Sequence, residues 1–219
     1  MCIFVIHSSH GQVNQIDWHK ATRIGKKKHF GVSIGIGTSH FRNINSLWKV
    51  GAIDYHDSLK TINAKSVIKL DLSLLGEYTI NDLMSLRHTI GILWDGGKNL
   101  YELHTSPVEI DLSTISYVFG SSVLLKKKTV FLSAGPRFIY TLAQDESSEG
   151  VFPLQKFDIA GEFGLGMDIK PMWVKIGMSL EIRYSAGFVN LIKRQENLFE
   201  KTLAKMTRRN LALLINLKQ

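Results

Sequence analysis

The chain has 219 residues and a mass of 24.7 kDa, with 44% apolar residues, 21% charged residues and a mean hydropathy of +0.01. That balance excludes intrinsic disorder. The longest purely apolar runs, Cys2 to Ile6 and Leu211 to Ile215, are far shorter than the roughly 18–20 residues a spanning helix needs. A helical membrane protein is excluded, but a membrane barrel is not, because its strands alternate apolar and polar residues and average to neutral. Twenty-seven basic residues against 19 acidic ones give +8, which admits an anionic surface, nucleic acid or neither. The single cysteine, Cys2, excludes an intramolecular disulfide and a thiolate metal cluster.

Residues 1–11 pair a short apolar stretch with small residues and read as the remnant of an export signal, cleaved between Gly11 and Gln12. Residues 12–28 then form a periplasmic segment, and 29–219 the structured domain.

From residue 29 the dominant signal has period two. Phe30, Val32, Ile34 and Ile36 alternate with glycines and serine, and Ile68, Leu70, Leu72 and Leu74 with Lys69, Asp71 and Ser73. Leu86, His88, Ile90, Ile92 and Trp94 alternate with Ser85, Arg87, Thr89 and Gly91. The segment from Val108 to Val123 changes phase near Thr114, which predicts a β-bulge. Val130 to Tyr140 sets Ser133, Gly135 and Arg137 against Leu132, Phe138 and Tyr140. Phe157 to Ile169, Val174 to Ser185 and Asn210 to Leu217 repeat the alternation. Strict alternation of this length predicts eight strands, each with one apolar and one polar face.

The connections alternate in length. The segments 38–65, Asp95 to Pro107, Ala143 to Lys156 and Ala186 to Arg208 are long, whereas Thr79 to Leu83, Lys126 to Lys128 and Lys170 to Met172 are short. Long external loops and short periplasmic turns mark outer-membrane barrels. Within the last loop, Glu196 to Met206 has spacing compatible with a short amphipathic helix, with Phe199, Leu203 and Met206 on one face.

The apolar faces carry no Lys, Arg, Asp or Glu, and His88 is their only polar member. The opposite faces hold Lys69, Asp71, Arg87, Asp158, Glu162, Asp168, Lys175, Glu181 and Arg183 among glycines and serines. Mixed charges interleaved with glycine predict a packed, ion-paired lumen. A soluble ligand-binding barrel would invert the two faces. Tyr78, Trp94, Tyr140, Trp173 and Tyr184 near strand ends fit interfacial girdles.

Signatures of chemistry are missing from the sequence: there is no HExxH, GxSxG, Walker loop or paired cysteine. Gly35-x-Gly37 and Gly164-x-Gly166 lie within strands, where they pack rather than cradle phosphate. The eight histidines show no ligand spacing. Asp158, Glu162 and Asp168 can be imagined as a general acid and base, but their strand-face setting favours structural ion pairs. No catalytic, cofactor-binding or metal-binding residue is assigned, and neither nucleic acid nor a small-molecule substrate is expected. Basic clusters at Lys26–Lys28 and Lys126–Lys128 fall at the periplasmic rim, and the stretch from Lys193 to Arg209 falls in the last external loop.

Several short motifs resemble the PorT/SprT-type family of outer-membrane barrels from the Bacteroidetes type IX secretion system. They are Ser85-Leu86-Arg87 followed by Gly91, Leu93 and Leu100-Tyr101; Val108 to Leu112; and Phe131 to Arg137 with Leu142-Ala143. The most recognisable are Phe157 to Asp168 and Ser179 to Asn190. The resemblance covers about residues 29–219. It departs at the C-terminus, where Leu217-Lys218-Gln219 lacks a terminal aromatic. It implies an all-β, eight-stranded, antiparallel up-and-down barrel in the cell outer membrane, non-enzymatic, with membrane lipid and other secretion-system proteins as partners. A generic small barrel that stabilises the envelope or acts as an adhesin is the other membrane reading.

Overall fold

A computed structural model describes residues 28–45, 59–103, 107–145, 149, 152–169, 177–193 and 203–219. The proposed export-signal remnant, nearly all of the periplasmic segment, Trp173, Lys175, the turn at 170–172 and Phe199 therefore lie outside the described residues. The described part is almost entirely strand: β1 (Lys28–Asn45), β2 (Leu59–Lys65), β3 (Val67–Asn81), β4 (Met84–Asp95), β5 (Lys98–Leu103) and β6 (Pro107–Asp111). These are followed by β7 (Thr114–Lys127), β8 (Val130–Gln144), β9 (Phe157–Ile169), β10 (Gly177–Gly187) and β11 (Leu203–Lys218).

Eight of them close into an antiparallel barrel in the order β1-β11-β10-β9-β8-β7-β4-β3, while β2, β5 and β6 form a separate three-stranded sheet. Each barrel strand pairs with its neighbour in the barrel sequence, and β1 pairs with both β3 and β11 to close the wall. The barrel wall has no unpaired edge, which is what a bilayer demands of β-structure.

The register sets the barrel's shape. A row of directly opposed residues runs Leu125, Leu132, Leu165, Ile182, Leu213, Ile36, Leu70 and Trp94. It returns to β7 at Ile115, ten residues from its start. A ten-residue stagger rises roughly 33 Å against a girth of about 38 Å, so the strands tilt about 40° from the axis. The row climbs from the short-turn end to the long-loop end as it circles the wall.

The expected irregularity near Thr114 is present as a register shift against β8 between Ile115 and Ser116, and a strand break at Leu112-Ser113 precedes it. The Asp111 carboxylate accepts hydrogen bonds from both the Ser113 backbone N–H (3.0 Å) and its hydroxyl (2.6 Å). The chain turns there, passing from the small sheet (β6) into the barrel wall (β7). On the paired strand the matching corner is Gly96-Gly97. Gly96 has φ 152°, a region L side chains rarely adopt, and a Cβ on it would crowd the Leu112 carbonyl at 2.6 Å. The segment Asp95 to Pro107, expected as a loop, contains β5. The connection 38–65 likewise begins as an extension of β1 to Asn45 and ends in β2. The expected helix over 196–206 is also corrected at its described end. Leu203 and Met206 belong to β11, held by pairing with Asn45 and Asn43 of the extended β1.

Candidate functional site: the lumen and the external cap

Parity along each strand decides what lies inside. Outward positions hold exposed apolar side chains, among them Phe30, Ile34, Ile36, Ile68 (74% exposed), Leu74, Ile90, Leu132, Leu165, Ile182 and Leu213. Inward positions hold buried charge: six cations (Lys69, Arg87, Arg137, Arg183, Arg208, Lys218) and six carboxylates (Asp71, Glu77, Asp95, Asp158, Glu162, Glu181). A soluble barrel would bury the apolar set, so the ligand-binding alternative is overturned.

The charges form a connected network. At the short-turn end, Glu77 contacts Lys126, Arg87 (3.2 Å) and Lys218 (3.1 Å). Arg87 reaches across to Glu181 at 2.6 Å, and its guanidinium lies 5.2 Å from the centre of the Phe131 ring. Glu181 passes the chain to Arg183 (3.0 Å), which lies 3.6 Å from Glu162. Arg137 then joins Glu162 (2.7 Å) to Asp71 (2.6 Å). Toward the long-loop end, Asp95 accepts from Thr114 (2.8 Å) and Asn210 (3.2 Å) and pairs with Arg208 (3.2 Å). Desolvating so many charges is costly, and the opposing charges and hydrogen bonds offset that cost. The six buried cations and six buried carboxylates of the described lumen balance in formal charge.

The three carboxylates considered as an acid–base set stand in separate pairs: Glu162 with Arg137 and Arg183, Asp168 with Lys218 (3.0 Å), and Asp158 near Arg208 (4.0 Å). Gly164, one of the in-strand glycines, faces Ser133 and Glu181 so closely that a methyl there would displace both side chains. That close approach explains the glycine at a strand interior.

Above the lumen, the long loops build a second core. Phe41, Ile62, Tyr101, Ile110, Leu112, Phe152, Leu154, Leu191, Ile192, Leu203 and Met206 form one buried cluster, with contributions from every long connection. Gln144 fastens the third connection, donating to the Phe152 carbonyl (2.7 Å) and accepting from the Leu154 N–H (3.0 Å). A bridge between Leu154 and Ile192 ties it to the fourth. On the solvent face of the small sheet, Glu109 accepts from both Lys65 and Lys98 at 2.9 Å. Those hydrogen bonds hold the Glu109 carboxyl below the usual carboxylate range and the Lys98 ammonium above its usual value.

Aromatic residues mark the outer wall. Trp94, Tyr117, Tyr140 and Tyr184 are exposed near the long-loop end, and Tyr78 is half-buried near the other. His88 also faces outward, where it stacks on Phe119 with ring centroids 6.4 Å apart.

Several lumen residues escaped the sequence-based set, namely Glu77, Asp95, Arg208 and Lys218. Each continues the inward parity of its own strand beyond the stretch of clean alternation, so the signal was present but weak. The cap core had no such signal, since Phe152, Leu154, Leu191 and Ile192 occupy irregular segments.

A closed eight-stranded barrel with an apolar outer wall, aromatic rim and charged, filled lumen is an outer-membrane β-barrel, and its place is the outer membrane. Among solved structures, the chain is similar to the outer membrane protein OprG of Pseudomonas aeruginosa, with TM-score 0.41, 11% identity and coverage of 88% of this chain and 94% of that one. It is also similar to Ail, the attachment invasion locus protein of Yersinia pestis (TM-score 0.39, 11% identity, 88% and 99% covered). A third likeness is to Neisserial surface protein A (TM-score 0.39, 11% identity, 87% and 97% covered). No protein-family model matches the chain, and no curated protein sequence does.

Proposed function

We propose that this chain is a non-enzymatic outer-membrane barrel that serves protein secretion by a type IX machine, as a sealed anchor rather than a conduit. The observation that carries the sealed-anchor part is the pairing of a filled lumen with an apolar cap over its external mouth. A barrel closed in this way acts on partners through its ends, the cap outside and the turns at the periplasmic rim. The secretion role is supported by the PorT/SprT-type motifs. Their charged residues Arg87, Arg137, Glu181 and Arg183 are joined in one lumen network. Deleting the gene in its host and assaying export of type IX cargo tests the role. Cargo is expected to accumulate inside the cell and to be released again on complementation. Normal export in the deletion strain would replace this reading with that of an envelope stabiliser or adhesin. The small sheet, which displays paired charges to the exterior, would then be the working surface.

A further inference from the structure

The hairpin between β7 and β8 concentrates three lysines at the short-turn rim. Lys126 is committed to the lumen through Glu77. Lys127 and Lys128 are exposed and have no ion-pair partner among the described residues. Lys128 also adopts φ 58°, a left-handed conformation that Gly or Asn takes at less cost. A strained, unpaired lysine beside a second unpaired one contributes little to the fold.

Beneath the hairpin the outer wall is hollowed. A depression of about 590 Å³ runs from Lys126–Lys128 over Leu125, Val130 and Leu132 to Leu165. It continues through Val130 and Leu165 into a groove of about 370 Å³ lined by Met167, Leu180, Ile182 and Leu213. Leu132, Leu165, Ile182 and Leu213 stand directly opposite one another on β8 to β11. The groove therefore follows the climbing row that leads from the rim toward the middle of the membrane.

We propose that the Lys126–Lys128 hairpin and this groove form a site for one anionic phospholipid of the periplasmic leaflet. The Lys127 and Lys128 ammoniums meet the phosphate, and an acyl chain lies along Leu165, Ile182 and Leu213. Charge complementarity selects the occupant, because these two lysines, without an ion-pair partner among the described residues, sit at headgroup level above a mainly apolar wall. The site rests on the outer-membrane placement of the barrel and is independent of any secretion role.

Native mass spectrometry of the full chain, refolded in detergent, tests it with dioleoylphosphatidylglycerol and dioleoylphosphatidylcholine, which share their chains. The wild type is expected to retain the anionic lipid preferentially. K127Q/K128Q should lose roughly 25-fold of that preference, about fivefold for each ammonium. Leu165→Trp, which obstructs the groove and spares the lysines, should weaken retention of the anionic lipid. K65Q/K98Q, on the external sheet, should leave the preference intact. Equal retention of the two lipids by the wild type would overturn the proposal, as would an unchanged preference in K127Q/K128Q or full retention by Leu165→Trp. Displacement of the lipid by glycerol phosphate at equal concentration would also overturn it, by reducing the site to phosphate binding. Heat-modifiable gel mobility confirms folding of each variant. A wild type that failed to fold in detergent would instead reject the outer-membrane placement itself.

Discussion

Arg87 concentrates the energetics of the lumen in one side chain. It is fully buried and donates to carboxylates on two strands, Glu77 on β3 and Glu181 on β10. Removing one partner of a buried pair leaves the other charges desolvated without compensation. Arg87→Ala should therefore cost about 3–5 kcal/mol, read from urea unfolding in detergent or lipid. Lys65→Ala, which breaks an exposed pair with Glu109, should leave the unfolding midpoint where it is. Similar shifts for the two variants would mean that the lumen is hydrated enough to screen its ion pairs. Arg87 was legible in the sequence because Leu86, His88 and Ile90 flank it in clean alternation. Lys218 was less so, although the run Leu211, Leu213, Ile215, Leu217 places it on the inward parity. Its partners lie on strands more than a hundred and about fifty residues away, and no local pattern encodes such pairings.

At the scale of elements, the small sheet is a unit added to the barrel. Its strands β2, β5 and β6 pair only with one another, and the apolar cluster beneath them includes Phe152 from the third long connection. Phe152→Ala empties part of that cluster, and the loss should be about 3–5 kcal/mol of local stability. Hydrogen exchange is the measurement: protection should fall in β2, β5 and β6 while β7 to β10 keep theirs. Equal loss in both would show that cap and barrel unfold as one. This sheet was the least visible part of the fold in the sequence. β5 and β6 have six and five residues, too short for a convincing alternation. Their apolar residues serve a core outside the barrel, so the phase change at Thr114 marks the passage from β6 to β7 as well as the register shift beside it. The expected helix at 196–206 failed for a related reason: Leu203 and Met206 have helical spacing, yet β1 extends far enough to pair with them as a strand.

At the scale of the whole molecule, two properties follow from which face is which. Ile182 lies outward at the middle of β10, opposite Leu165 and Leu213. Ile182→Arg places a charge in the lipid and should destabilise the inserted barrel by about 2–4 kcal/mol. Ser179→Arg, on the inward face of the same strand, should fail for lack of room beside Asn216 and Glu181. Insertion into liposomes followed by heat-modifiable mobility separates them: the first should show poor insertion, the second poor closure. Equal tolerance of arginine at both positions would refute the assignment of faces. The faces, the eight strands of the barrel and the asymmetry of the two ends were all legible, because the period of two is set by strand geometry and survives any register.

Lys218 has a consequence for how the barrel comes together. Its ammonium meets Glu77 on β3 at 3.1 Å and Asp168 on β9 at 3.0 Å. In the circular strand order these two lie on opposite sides of β11, each two strands away. The contact with Asp168 is available once β9, β10 and β11 are laid side by side. The contact with Glu77 needs β11, β1 and β3 side by side, across the seam where the first and last strands of the barrel meet. Lys218 is thus a latch that holds both partners only when β9, β10, β11, β1 and β3 lie in one continuous wall.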